Sequence, residues 1–538
     1  MKHTEKKRMH EIGTIVSGSL TEGLTMRLAT GRALEEVKAG KFISVKGEQY
    51  TFFSLITDIQ LLATHPDILL FPPTSEDILF ARTLKTKDVY VHVKLRPMIM
   101  LNNQQQRLPV KTIPAHFSPV YESNAAEINS IFGSENINNS FFSIGTPLDM
   151  ETPVCINLDA LTERSNGIFG KTGTGKTFIT RLLLAGLIHK KKAVNLIFDM
   201  HSEYGLQARQ EGNDKSFVKG LKTLFPQSVA IFSLDPVSTR RRGCTPDVDV
   251  FLTYEEIRVE DIIPLADELN LNPTAIEAAY LIASKYQKRW LSVLLSEGHN
   301  IKEFSENIGA HPESIGALYR KLKRLERFSF LKNDHGQTHV VDRLLEYLDR
   351  SMHVILEFGN HTSMLAYLLI SGIITRRIHE KYVEKTEKFL ASQKKEDEPQ
   401  KLLITIEEAH KFLNPQAAKQ TIFGVIAREM RKYYVSLLVV DQRPSGIDPE
   451  IISQIGTKFI ALLNDEKDIA AVLTGVSNGS GLKSILSTLD TKKQILALGH
   501  ALPMPVVLKT RNYDETFYQA LGNTSEQKDI KKMIDELF

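Results

Sequence analysis

The chain has 538 residues, 42% hydrophobic and 24% charged, and its 67 basic and 64 acidic side chains leave a net charge of +3. That composition excludes the disordered and fibrous classes, and the length calls for about two to four domains. A near-neutral total also excludes nucleic-acid binding through bulk charge, so any such contact must come from a local patch.

Met1 to His10 is basic, but no apolar core follows, so no leader is expected. Residues 12–17, 41–45, 50–57 and 89–95 are short β-branched or aromatic runs. Glycine turns between them suggest a small amino-terminal β-barrel. The polar stretch 124–139 reads as linker. From 141 to 235 strand and helix patterns alternate, the signature of a parallel sheet. Residues 246–349 change to amphipathic helices, 353–376 are apolar, and 381–400 reads as a charged surface loop or frayed helix end. Strands resume at 401–406 and 433–440. The implied domains are 1–120 (barrel), 121–245 (first part of an α/β domain), 246–350 (helical insertion), 351–515 (remainder of the α/β domain) and 516–538 (tail). The apolar stretch 363–374 is too short to span a bilayer, and no membrane association is expected. Two cysteines without metal-ligand spacing, Cys155 and Cys244, suggest a reducing, cytoplasmic setting and buried packing roles.

The chemistry concentrates at Gly170-Lys171-Thr172-Gly173-Thr174-Gly175-Lys176-Thr177, which fits G-x-x-x-x-G-K-[ST] at every fixed position. A strand-like run precedes it, and Phe178, which begins the apolar-periodic helix that follows, is expected with Gly170, Gly173, Thr174, Gly175, Lys176 and Thr177 to bind the nucleotide. The glycines let backbone N–H groups point at phosphate oxygens, and the helix N-terminus favours negative charge. Lys176 can reach the β- and γ-phosphates and the Thr177 hydroxyl can sit on Mg²⁺, so ATP and Mg²⁺ are the expected cofactors. The strand before Glu407-Glu408-Ala409-His410 ends in two carboxylates. Glu407 is expected to hold Mg²⁺ through water and Glu408 to orient and deprotonate the attacking water. Gln442, at the tip of the next strand, is the candidate γ-phosphate sensor. The basic cluster at Ala427-Arg428-Glu429-Met430-Arg431-Lys432 is either a solvated helix face or the source of a catalytic arginine.

Together these pieces resemble the HerA family of hexameric ATPases, within the HerA/FtsK group of DNA pumps. The likeness rests on the phosphate loop, Asp199-Met200-His201-Ser202-Glu203-Tyr204, Glu407-Glu408-Ala409-His410, residues 428–432 and Gln442-Arg443-Pro444. It implies a RecA-like P-loop ATPase domain, a homo-hexameric ring with ATP sites between neighbours, and double-stranded DNA in the pore. By the same resemblance Arg431, or second Arg428, is a catalytic arginine, and Arg164 reaches into the adjacent subunit's site. Asp441 and Met430 depart from the small hydroxyl residue and the glycine common at those places. The expected activity is ATP-driven DNA translocation serving a nuclease such as NurA, or another effector, in DNA end processing or anti-phage defence. The alternative is a nucleotide-gated scaffold for an effector, without obligatory translocation.

Candidate DNA contacts are Arg240-Arg241-Arg242, read as a loop, and lysines between 215 and 222. Residues 301–330 have a helix-turn-helix rhythm that would turn Arg320, Lys321, Lys323 and Arg324 to a groove. A plain bundle with Ile315, Leu318, Leu322 and Leu325 as its apolar face is preferred.

Overall fold

The computed structural model describes residues 11–70, 89–104, 106–148, 150–209, 217–297, 300–333, 340–476, 479–487, 489–490 and 493–522. Met1 to His10, Lys215 and residues 523–538 of the expected tail lie outside them. The chain divides into two compact units, one comprising residues 1–158 and 457–511, the other 159–456 and 512–538.

In the first unit a seven-stranded sheet runs Gly23–Leu28, Glu11–Ser19, Pro119–Glu122, Phe42–Lys46, Thr51–Ala63, Val89–Leu101, Arg107–Leu108. Gly23–Leu28 also pairs antiparallel with Val89–Leu101, which closes the strand circuit. Alternating side chains such as Ile15, Met26, Val45 and Val93 form its buried cluster. The stretch expected as linker contains a helix, Ala125–Phe132. Asn124 and Glu127 form a reciprocal capping box, and Ile128, Ile131 and Phe132 are buried. Polar flanks hid this short apolar face. A further antiparallel set joins Val154–Asn157, Phe141–Pro147, Val506–Thr510, Gln494–Gly499 and Thr457–Ile460.

The second unit is built on an all-parallel sheet of β1 (Asn166–Phe169), β2 (Val194–Asp199), β3 (Val229–Ser233), β4 (Val248–Asp249), β5 (His353–Glu357), β6 (Leu402–Glu407) and β7 (Val435–Asp441). Their order is β4-β3-β5-β2-β6-β7-β1. The strands are buried almost throughout, as a sheet covered on both faces requires. Helix α1 (Lys176–His189) follows β1, and Tyr433 falls in a 3-10 turn just before β7.

A series of short helices runs from Val259–Ile262 to Pro312–Leu322, with Val340–Asp349 a later one, and Ile315, Leu318, Leu322 and Leu325 are all fully buried. Arg320, Lys323 and Arg324 lie exposed on the other side. Helix α2 (Met364–Ser392) takes up the first part of the stretch read as a surface loop or frayed helix end. It keeps Tyr382 and Thr386 buried, and Lys385 pairs with Asp349. Its charges decorate one face of a continuing helix.

Arg240 and Arg241 are not in a loop either. They end the helix Pro236–Arg241, with Arg242 as its C-cap residue. Arg242 Nη2 donates to the fully buried Glu357 at 2.6 Å, and Arg240 pairs with Asp249 at 3.2 Å. Lys219 and Lys222 pair with Glu515 and Asp247. Cys155 is buried as expected, but Cys244 is only half-buried. Part of the expected tail is helical, Glu515–Gly522, with Phe517 and Leu521 buried.

Candidate nucleotide site at the carboxyl edge of the parallel sheet

β1 delivers the chain to the phosphate loop. Gly173 and Gly175 adopt φ of 79° and 88°, and a Cβ at either would meet nothing within 4 Å. Their demand is therefore conformational, a left-handed backbone that opens a cradle of N–H groups. Gly170 takes φ 159° as the chain leaves the strand. Thr174 Oγ1 and Lys176 Nζ both donate to the Lys171 carbonyl, at 2.7 and 2.9 Å, and brace the loop across itself. Lys176, Thr177 and Phe178 begin α1, whose first turn carries no acidic side chain to oppose an anion. Phe178 packs edge-on against Tyr513 with ring centroids 6.3 Å apart, and the Arg181 guanidinium lies 5.7 Å from its ring centre. These contacts give Phe178 a packing role.

Adjacent strands β5, β2, β6 and β7 end in Glu357, Asp199, Glu407 and Asp441. Burial, with Glu357 alongside, pushes the Asp199 carboxyl up to about 7. Burial, with Asp199 nearby, pushes Glu407 up to about 8. Glu407 keeps partial exposure as a residue, yet its Oε2 is out of solvent and has no hydrogen-bond partner. Oε1 accepts from the Tyr204 hydroxyl at 2.7 Å.

The next residue, Glu408, takes φ 48° and ψ 44°, left-handed for a non-glycine. Such strain costs about 1–3 kcal/mol and collects at functional sites. The turn carries the Glu408 carboxylate to Gln442, whose Nε2 donates to it at 3.2 Å. Gln442 Oε1 in turn accepts from Thr172 of the phosphate loop at 2.8 Å. A polar chain thus links the loop, the tip of β7 and the second acid. Asp441, where a small hydroxyl residue was expected, accepts the His410 backbone N–H at 2.6 Å and the Arg443 backbone N–H at 2.6 Å. It also holds the His410 ring at 3.0 Å and raises the ring's proton affinity. Asp441 therefore fastens the turn after Glu408 to the end of β7.

The arginines separate. Arg428 Nη2 donates to the Ala418 carbonyl at 2.7 Å and Nη1 to the same carbonyl at 3.1 Å, a bracing role inside its own substructure. Arg431 lies in the 3-10 turn Met430–Tyr433. Arg164 is exposed, its Cβ packed close against Gly456.

Asp199, Tyr204, Tyr367 and Thr172 are site residues with no role evident from the sequence alone. Asp199 and Tyr204 were signalled by the motif that contains them. Tyr367 sat unmarked in an apolar run, and nothing local marks Thr172.

A parallel sheet, a phosphate loop between strand and helix, and acids at the end of the neighbouring strands define a P-loop ATPase, an ATP-hydrolysing enzyme. Residues 142–378 match the family model described as "Helicase HerA, central domain". The chain is 25% identical to the DNA double-strand break repair helicase HerA of Sulfurisphaera tokodaii, over 98% of both chains. With the protein of that name from Sulfolobus acidocaldarius it shares 24%, over 95% of this chain and 96% of that one. The one from Pyrococcus furiosus is 23% identical over 74% and 73%. Among solved structures, VirB4 of Thermoanaerobacter pseudethanolicus gives a TM-score of 0.45 at 13% identity, over 70% of this chain and 97% of that one. The chain is thus similar to HerA proteins over nearly its full length, with the family's central domain matched at residues 142–378.

Proposed function

We propose that this protein is an ATP-driven translocase of double-stranded DNA, working as a ring of six subunits with a partner nuclease or other effector. The observation that carries the reading is the chain Thr172–Gln442–Glu408, which ties the second acid to the phosphate loop. An acid so placed serves turnover, whereas a nucleotide-held scaffold needs only binding. The DNA substrate is supported by the relatives named as DNA double-strand break repair helicases. In this reading the closed strand circuit of residues 11–122 is the small amino-terminal barrel, 246–350 is an insertion in the ATPase domain, and the setting is cytoplasmic. Among the described residues no helix is long and apolar enough to cross a membrane.

The residues present fit Mg²⁺. Glu407 offers an uncommitted buried oxygen, and the Thr177 hydroxyl opens the helix after the phosphate loop. When bound, the ion neutralises charge on the phosphates. Lys176 binds the phosphates, Glu408 orients the attacking water and takes its proton, and Gln442 relays the loop's state to Glu408. Arg164 is the residue we assign to the neighbouring subunit's site, with Arg431 as the second. Partial recovery of ATPase activity on mixing Arg164→Ala with Lys176→Ala subunits supports that geometry; none, with mixed rings verified, refutes it.

The test of function is ATPase rate with and without linear duplex DNA, alongside mass in solution. A hexamer-sized particle stimulated by duplex, and inactivated by Glu408→Gln, is expected. A ring that ignores DNA, and still activates its effector as Glu408→Gln, would establish the scaffold instead.

A further inference from the structure

The motif Asp199-Met200-His201-Ser202-Glu203-Tyr204 has no part in the function as described, yet its contacts are unusually complete. Asp199 Oδ1 accepts the Glu203 N–H at 2.8 Å and Oδ2 the Tyr204 N–H at 2.9 Å, so the carboxylate at the end of β2 templates the turn. Ser202 closes it at φ 57°. The Glu203 carbonyl accepts from Arg181 Nε at 3.0 Å and Nη2 at 2.5 Å, and Arg181 projects from α1, the phosphate-loop helix. The Tyr204 carbonyl accepts the Leu221 N–H at 2.8 Å. Held on three sides, the fully buried Tyr204 donates its hydroxyl hydrogen bond to Glu407 Oε1. A second buried tyrosine, Tyr367 of α2, accepts the Glu407 N–H at 3.0 Å and donates to the Glu407 carbonyl at 3.3 Å. Tyr367 fixes the main chain of this residue and Tyr204 fixes its carboxylate.

A glutamate side chain has three rotatable bonds, and ordering it costs about 1.5–2 kcal/mol. A tyrosine delivered by a rigid turn lowers that cost before any ligand arrives. We propose that Tyr204 is the positioning residue for the metal-side carboxylate, with the turn 199–204 fixing Glu407 relative to the phosphate-loop helix through Arg181. The inference rests on the reading of Glu407 as the acid that faces the metal. Tyr204 commits Oε1 and leaves Oε2 for the ion. Partners of this kind behind a metal ligand are worth about 10–100-fold in metal affinity.

The experiment uses the full chain with a non-hydrolysable ATP analogue and Mn²⁺ in place of Mg²⁺, with free Mn²⁺ followed by electron paramagnetic resonance. Tyr204→Phe keeps the ring and removes the hydroxyl. It is expected to weaken Mn²⁺ about tenfold, and to lower kcat while leaving the KM for ATP within about twofold, because the phosphate loop is untouched. Arg181→Gln, which frees the turn from α1, is expected to shift Mn²⁺ in the same direction by less. Unchanged Mn²⁺ affinity in Tyr204→Phe, with binding lost in Glu407→Gln, overturns the positioning role and keeps Glu407 as the metal-side acid. Unchanged affinity in Glu407→Gln overturns the reading of the site itself. Should Tyr204→Phe fail to fold, Arg181→Gln decides, and wild-type Mn²⁺ affinity there overturns the coupling to α1.

Discussion

Arg242 offers a direct test of whether the basic triad Arg240-Arg241-Arg242 serves the fold or DNA. Its Nη2 donates at 2.6 Å to Glu357 Oε2, on a side chain with no solvent exposure, while Arg242 is 33% exposed. The other donor to that oxygen is Thr239, at 3.1 Å. Breaking a fully buried pair costs about 3–5 kcal/mol, since the remaining charge is stranded. With Arg242 a third exposed and Thr239 still in place, Arg242→Ala should cost about 2–3 kcal/mol. Glu357→Gln on that background removes the stranded charge and should recover about 1 kcal/mol or more. Arg240 pairs with Asp249 where both are well exposed, 52% and 37%, so Arg240→Ala should stay within about 0.5 kcal/mol. Thermal melts of the four proteins, each paired with duplex binding at two salt concentrations, read both quantities. A melt for Arg242→Ala equal to that for Arg240→Ala, with DNA affinity and its salt slope reduced in both, would refute the structural role and return the triad to phosphate contact.

His353 should make the parallel sheet acid-sensitive. It is 5% exposed, its Nδ1 accepts the Asn195 backbone N–H at 3.1 Å, and burial lowers it from 6.5 to about 4. The unfolded chain therefore binds the extra proton first, so the histidine's own contribution is intact above about pH 6.5 and falls by about 3 kcal/mol as pH drops toward 4. Melts of His353→Gln across that window should lose less on acidification than the wild type. Arg428→Ala should cost about 1–2 kcal/mol in a melt, through its lost carbonyl contacts. Arg164→Ala should leave the melt within about 0.5 kcal/mol and lower turnover. Gly175→Ala, forced to keep φ near 88°, should weaken ATP at least about tenfold in a nucleotide-binding titration.

What was legible in the sequence is what is local. The phosphate loop is contiguous, its glycines are dictated by the backbone they must adopt, and the strand and helix around it announce themselves by periodicity. The pair Glu407–Glu408 was legible because two successive carboxylates end an apolar strand downstream of an intact phosphate loop. Partnerships across the fold were not. Arg242 meets Glu357 only because β3 lies beside β5, and a triad of arginines viewed alone reads as a solvated patch. Tyr367 reaches Glu407 across forty positions of chain from an apolar run where a tyrosine looks like core filling. The helices at 125–132 and beyond 381 were obscured by composition, because a few well-spaced apolar residues outweigh polar flanks once a surface exists to receive them.

On the proposed reading of Glu407 as the metal-side acid, the row of acids sets it apart from the other three strand-terminal carboxylates, while Asp441 groups instead with Glu408 and His410. Four adjacent parallel strands end in Glu357, Asp199, Glu407 and Asp441, and four uncompensated charges on one buried edge would be prohibitive. Each is offset differently. Both oxygens of Asp199 are taken by backbone N–H groups, and both of Asp441 by backbone N–H groups and His410. Glu357 is neutralised by Arg242, and its second oxygen lies so close to Gly205 that a Cβ there would sit 2.5 Å away. Glu407 alone combines a fixed oxygen, an uncommitted one and partial exposure beside the phosphate loop's sheet edge. With burial and Asp199 raising its proton affinity, an arriving cation displaces a proton, so Mg²⁺ should bind more tightly as pH rises toward 8. The same desolvation that makes the bare carboxylate costly strengthens its attraction to a cation that supplies the missing charge.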